Sequence, residues 1–94
     1  MIKVLIERDI AEGLEVPYEE VARRVLSAAI QSPGFISGES VRDLEHPNRR
    51  VIMVTWQNIR SWERWEESEA RRDAISKFAP ILLEEERITL LEPL

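Results

Sequence analysis

The stretch Arg50-Val51-Ile52-Met53-Val54-Thr55-Trp56-Gln57 decides the fold. β-Branched residues recur through it and neither glycine nor proline interrupts it, so it reads as a β-strand. Side chains alternate along a strand, which sends Val51, Met53 and Thr55 to one face and Ile52, Val54 and Trp56 to the other. Both faces are largely apolar, the pattern of a strand covered on both sides. Helices from one short chain can cover only one of them. The second face calls for a ligand cavity or another protein surface, and a second copy packed sheet to sheet meets that need most simply. At roughly 25 cal/mol per Å2 of apolar surface, leaving it in water would burden a small domain severely.

Upstream, His46-Pro47-Asn48-Arg49 is turn chemistry and Phe35 to Glu45 reads as a second strand, so the two strands form a hairpin. Gly38 interrupts that second strand and predicts a bulge or a close backbone approach. Earlier, Val21, Ala22, Val25, Ala28 and Ala29 recur at helical spacing. Pro17 is expected as the first helical residue, with Glu19 and Glu20 near the positive end of the helix dipole. Ser32-Pro33-Gly34 stops the helix. Before it, Met1 to Asp9 is a strand with Ile2, Val4 and Ile6 on one face and Lys3, Leu5 and Glu7 on the other.

Downstream, Asn58 is a cap for a short helix carrying Ile59, Trp62 and Trp65. Ser68 caps a second, with Ala70, Ala74, Ile75 and Phe78 at helical spacing and Pro80 at its end. Glu86 to Glu92 is a last strand through Ile88, Leu90 and Leu91. The order β-α-β-β-α-α-β predicts an α+β, ferredoxin-like split βαβ sandwich: one antiparallel sheet with helices on one face, over a single domain of residues 1–94.

Composition narrows the function. Thirteen Lys and Arg stand against 18 Asp and Glu, a formal net charge of −5. None of the basic dipeptides Arg23-Arg24, Arg49-Arg50 and Arg71-Arg72 extends into a longer Lys/Arg block, which in a net-negative chain argues against a nucleic-acid partner. With no cysteine, disulfides, thiolate metal sites and cysteine nucleophiles are excluded, and a cytoplasmic setting is expected. No apolar run is long enough to span a bilayer. A single histidine, His46, belongs to the predicted turn, and the acidic runs Glu63 to Glu69 and Glu84 to Glu86 read as solvated surface rather than metal ligands. No nucleophile elbow, phosphate loop or dinucleotide fingerprint occurs.

Three tryptophans within ten residues mark the remaining feature: Trp56, Trp62 and Trp65. Trp62 and Trp65 share a helical face; Trp56 and Trp62 are expected to close the core, and Trp65 to stand at the mouth of a cavity, where its indole suits a planar aromatic ligand. Trp56 at a strand end, then Trp65, Ser68 and Arg71, followed by Ile81-Leu82-Leu83 before a last strand, resembles the antibiotic biosynthesis monooxygenase family of the dimeric α+β barrel superfamily.

The resemblance implies a homodimer and a cofactor-independent oxygenase acting on an aromatic or quinol-like small molecule with dioxygen. In such enzymes the substrate, once deprotonated, supplies the electrons itself. Carried onto this chain, Trp65 lines the pocket, Asn58, Arg71 or Arg72 stabilises developing negative charge, and Glu7 is the candidate base. A haem-degrading branch of the family uses a Trp, a first-strand Asn and an axial His. These positions fall on Trp65, Glu7 and close to Ile75, so two of the three depart and haem degradation is disfavoured. The rival expectation is a non-catalytic homodimer of the same superfamily that binds a hydrophobic ligand or fills its cavity with side chains.

Overall fold

The computed structural model describes residues 1–94. Its elements are β1 (Ile2–Asp9), α1 (Glu15–Ile30), β2 (Phe35–Arg42), β3 (Arg49–Trp56), α2 (Ile59–Glu66), α3 (Glu69–Phe78) and β4 (Arg87–Leu91). The strands make one antiparallel sheet in the order β2-β3-β1-β4, the ferredoxin-like arrangement expected from the order of elements.

The register sorts the sheet into two faces. Val4 lies opposite Val54 and Ile6 opposite Ile52; with Trp56 these side chains face the helices. Val4, Ile6, Val54 and Trp56 join Ala29 of α1 and Trp62 and Trp65 of α2 in one buried cluster. A second cluster fastens α1 to α3 through Tyr18, Val21, Ala74 and Phe78, closed by Ile10 and Ile81. On the outer face Leu5 lies opposite Met53 and Glu7 opposite Val51. Those apolar side chains are half-buried in the single chain, while Val41 and Leu91 nearby are exposed.

Both expected caps form. Asn58 Oδ1 accepts the backbone N–H of Ser61 at 2.9 Å, and Ser68 Oγ accepts that of Arg71 at 3.2 Å. Helix α1 starts earlier than expected, at Glu15, which leaves Pro17 in the first turn, where its missing N–H costs nothing. The irregularity in β2 is also displaced. The register shifts between Phe35 and Ser37, at Ile36, whereas Gly38 pairs regularly with Val54. Asp43 ends β2 before Glu45, because its Oδ1 accepts the N–H groups of Glu45 at 2.8 Å and His46 at 3.2 Å and turns the chain. His46 is an exposed turn residue, as expected.

After α3 the chain is stitched back onto the end of β1. Ala11 N–H donates to Ile81 O and Leu83 N–H to Asp9 O, each at 2.9 Å. That return carries Glu86 to Arg8. No helix is long and apolar enough to cross a membrane.

Two glycines have positive φ, Gly13 at 88° and Gly34 at 89°. A Cβ on Gly34 would stand 2.1 Å from Ser61 Oγ and 2.4 Å from Ser61 Cβ, whereas Gly13 has open space around it. Gly13→Ala is expected to cost about 1–2 kcal/mol from backbone strain alone, and Gly34→Ala to cost at least about 1 kcal/mol more from crowding against α2. Chemical denaturation of the two variants measures the difference, and equal losses would remove the assigned role of the Gly34–Ser61 contact.

Candidate functional site

Between α1 and the inner faces of the strands lies a cavity of about 660 Å3, within the span of roughly 300–1,000 Å3 typical of small-molecule sites. Small side chains hold it open. Ala22 and Ala29 border it from α1 and Gly38 from β2, where larger residues would fill the space between helix and sheet. Ile6, Ile52 and Val54 give it an aliphatic floor, and Phe35, Trp56, Trp62 and Trp65 an aromatic end.

The aromatic end is a packed unit. Trp56 stacks on Trp65 with ring centroids 6.1 Å apart and planes 26° from parallel. Trp62 and Phe35 meet Trp56 edge-on at 6.3 and 5.6 Å. Trp65 is only 5% exposed, so it forms part of the inner wall rather than the mouth. The indole N–H of Trp56 is buried and has no hydrogen-bond partner.

Beside this wall sit two buried arginines, Arg8 at 4% and Arg71 at 1% exposure. Arg8 occupies the inward face of β1, two residues after Ile6, and Arg71 lies in the first turn of α3 behind the Ser68 cap. Glu86 joins them. Its Oε2 accepts from Arg8 Nε at 2.7 Å and its Oε1 accepts from Arg71 Nη2. Arg8 also donates to Tyr18 Oη at 3.3 Å and lies over the Phe78 ring, with Cζ 4.3 Å from the centroid. Arg71 Nε remains without a partner.

Burial alone would raise the Glu86 pKa, but the two guanidiniums outweigh it and hold the carboxyl below its ordinary value of 4.5. Glu86 is therefore ionised at neutral pH and leaves one positive charge in excess in the triad. Further out, Arg23, Arg42 and Arg50 border the cavity with Glu19 and Glu39, and Arg50 pairs with Glu19 at 3.7 Å. Five arginines thus line a cavity in a chain whose net charge is −5.

The residues singled out in the sequence divide between two places. Trp65 and Arg71 border the cavity. Glu7 does not: it is on the outer face of the sheet, paired with Arg49 at 2.5 Å. Asn58 also lies outside the lining, where its side chain is engaged in capping α2 and accepts from Ser61 Oγ at 3.0 Å. Arg72, one residue past Arg71, is exposed. Ile75, near the position that an axial histidine takes in the haem-degrading branch, is 46% exposed. Among this chain's residues nothing at the cavity supplies a histidine to haem iron.

Sequence reasoning missed Arg8 and Glu86. The signal for Arg8 was its parity with Val4 and Ile6, which places a charge on the inward face of β1. Glu86 closes a run of three acids read as solvated surface, and only the return of the chain past Asp9 separates it from Glu84 and Glu85.

A lowered carboxylate pKa stabilises the folded state above the unfolded value and ceases to do so as pH falls through the folded value. Glu86→Gln is therefore expected to lose about 3–5 kcal/mol at pH 7, because two buried guanidiniums lose their counter-charge. The gap from the native protein should narrow as pH falls below about 4.5. Denaturant melts of both proteins from pH 3 to 7 measure it, and a pH-independent gap would contradict the charge assignment.

A family model described as antibiotic biosynthesis monooxygenase matches residues 1–77. No curated protein matches the chain. A conserved protein from Methanosarcina mazei Go1 superposes with a TM-score of 0.93 at 14% identity, over 99% of this chain and 92% of that one. SnoaB, a cofactor-independent oxygenase from Streptomyces nogalater, gives 0.88 at 13% identity, over 99% and 92% of the two chains. PA3566 from Pseudomonas aeruginosa gives 0.87 at 15%, over 99% and 93%. At these identities the likeness is one of fold, while the family model spans β1 through most of α3 and so includes the Trp56–Arg71 segment. The chain belongs to the antibiotic biosynthesis monooxygenase family.

Proposed function

We propose that this protein is a cofactor-independent monooxygenase that oxidises an aromatic, quinol-like small molecule inside the cavity. The observation that carries the reading is the buried Arg71 guanidinium bordering the same cavity as the stacked Trp56–Trp65 pair. The indoles offer a flat apolar wall to a fused-ring ligand, and the guanidinium favours its deprotonated form.

The chemistry balances without a further reductant. An activated ring CH2 loses a proton, and the resulting anion passes electrons to dioxygen. The carbon and oxygen combine to a hydroperoxide, which loses water and leaves a carbonyl. One oxygen atom ends in the product and the other in water. Arg71 and Arg8 lower the energy of the anion, and the closed aromatic end keeps water from it. Glu86, already ionised between two arginines, is a weak base, so the proton leaves to solvent through the mouth or to a group there such as Glu19 or Glu39.

The active form in this proposal is a cytoplasmic homodimer, packed through the outer face around Leu5, Val51 and Met53. A second reading, a protein that binds such ligands without oxidising them, is favoured by the absence of an unpaired buried acid or imidazole at the cavity.

Oxygen uptake over a panel of anthrones and quinols, with chelator present and no flavin, tests the activity. Uptake above autoxidation should fall roughly tenfold in Trp65→Phe, as the ligand loses its stacking surface. No uptake across the panel, with saturable binding retained, would favour the second reading. For assembly, Met53→Asp should convert a dimer into a monomer in analytical ultracentrifugation, and a native protein that already sediments as a monomer would sink the dimer.

A further inference from the structure

We infer that the cavity selects an anion, and that the ligand presents a negatively charged oxygen to Arg71. The inference rests on the cavity being the binding site proposed above and names the charge its ligand carries. The two buried side-chain polar atoms left without a partner are both donors. Arg71 Nε–H and Trp56 Nε1–H both lack partners, and both residues border the space. A buried donor left unpaired costs about 1–3 kcal/mol, so two around one cavity define what an occupant must bring: acceptor oxygens.

Charge chooses between a neutral acceptor and an ionised one. Arg8 and Arg71 share the single carboxylate of Glu86, so one positive charge beside the cavity has no counter-ion within the fold. The rim adds three more arginines against two glutamates. In a chain of net charge −5, this concentration of arginine is local to the cavity. An anionic oxygen on a planar ring satisfies the orphan donor and the excess charge together. A neutral acceptor of the same shape satisfies the donor but leaves the charge unmet.

Two matched pairs test the inference by titration calorimetry on the native protein at pH 7. One is 2-naphthoate against 2-naphthamide, which asks for a carboxylate. The other is ionised 2-hydroxy-1,4-naphthoquinone against 1,4-naphthoquinone, which asks for a ring oxygen. At least one anion should bind tenfold or more tightly than its neutral partner, and the pair showing the preference identifies which oxygen is read. Arg71→Met leaves Arg8 and Glu86 as a neutral pair and removes the excess charge together with the unpaired donor; with its fold checked by circular dichroism, its preference should fall below about threefold, while Arg71→Lys, which keeps the charge, should retain the preference. Equal affinities within both pairs, no binding of either anion, a preference that survives in Arg71→Met, or one that is lost in Arg71→Lys would overturn the inference. Oxygen uptake on a neutral quinol without anion preference would leave the oxygenase standing and this inference fallen. Anion preference without oxygen uptake would do the reverse.

Discussion

Glu86 lies between Arg8 and Arg71, and the rest of the site depends on that three-way contact. It ties the inward face of β1 to the start of α3 and to the segment that leads into β4. Buried ion pairs of this kind contribute little net stability, since desolvation takes back most of the Coulombic gain. Their effect is on position. With both guanidiniums held by one carboxylate, the start of α3 is tied to the inward face of β1 beside the cavity, which the small side chains of Ala22, Ala29 and Gly38 border. A larger apolar pair at the same places would fill the space that here remains a cavity.

The second constraint is the sheet's two-sidedness. The inner face carries the Trp56 cluster and the cavity, and at its aromatic end Phe35, Trp62 and Trp65 all pack against the central Trp56 ring. The outer face has an apolar centre of Leu5, Val51 and Met53 within charged neighbours such as Glu7, Arg49 and Arg87. Glu7 belongs to this surface, where its ion pairs with Arg49 and Arg87 give it an ordinary structural role. The alternation of a strand thus separates two charges one residue apart: Glu7 outward and Arg8 inward.

Much of the fold was legible because it rests on local chemistry. Asn58 and Ser68 cap the helices that their side chains predict, and the alternation in residues 50–57 assigns both faces of β3 correctly. The bulge lies two residues before Gly38, which predicted a bulge or a close backbone approach because a glycine in a strand has two explanations, irregularity or room. Here it provides room at the cavity wall. Trp65 and Arg71 were found as cavity residues from their helical spacing and the family pattern. Asn58 and Glu7 were drawn in by residue type, although capping occupies one and strand parity turns the other away.

By itself the sequence determined the order of elements, the sheet's two apolar faces, the caps of α2 and α3 and the family, since each follows from neighbours a few residues apart or from a short pattern. Only the tertiary structure decided which charges are buried. Arg8 and Glu86 are 78 residues apart, and neither position alone carries a sign of the other. Their meeting depends on the return of the chain from α3 along the end of β1, fixed by backbone bonds from Ala11 to Ile81 and from Leu83 to Asp9. An ionisable side chain takes its character from what surrounds it, and that environment exists only once the chain has closed.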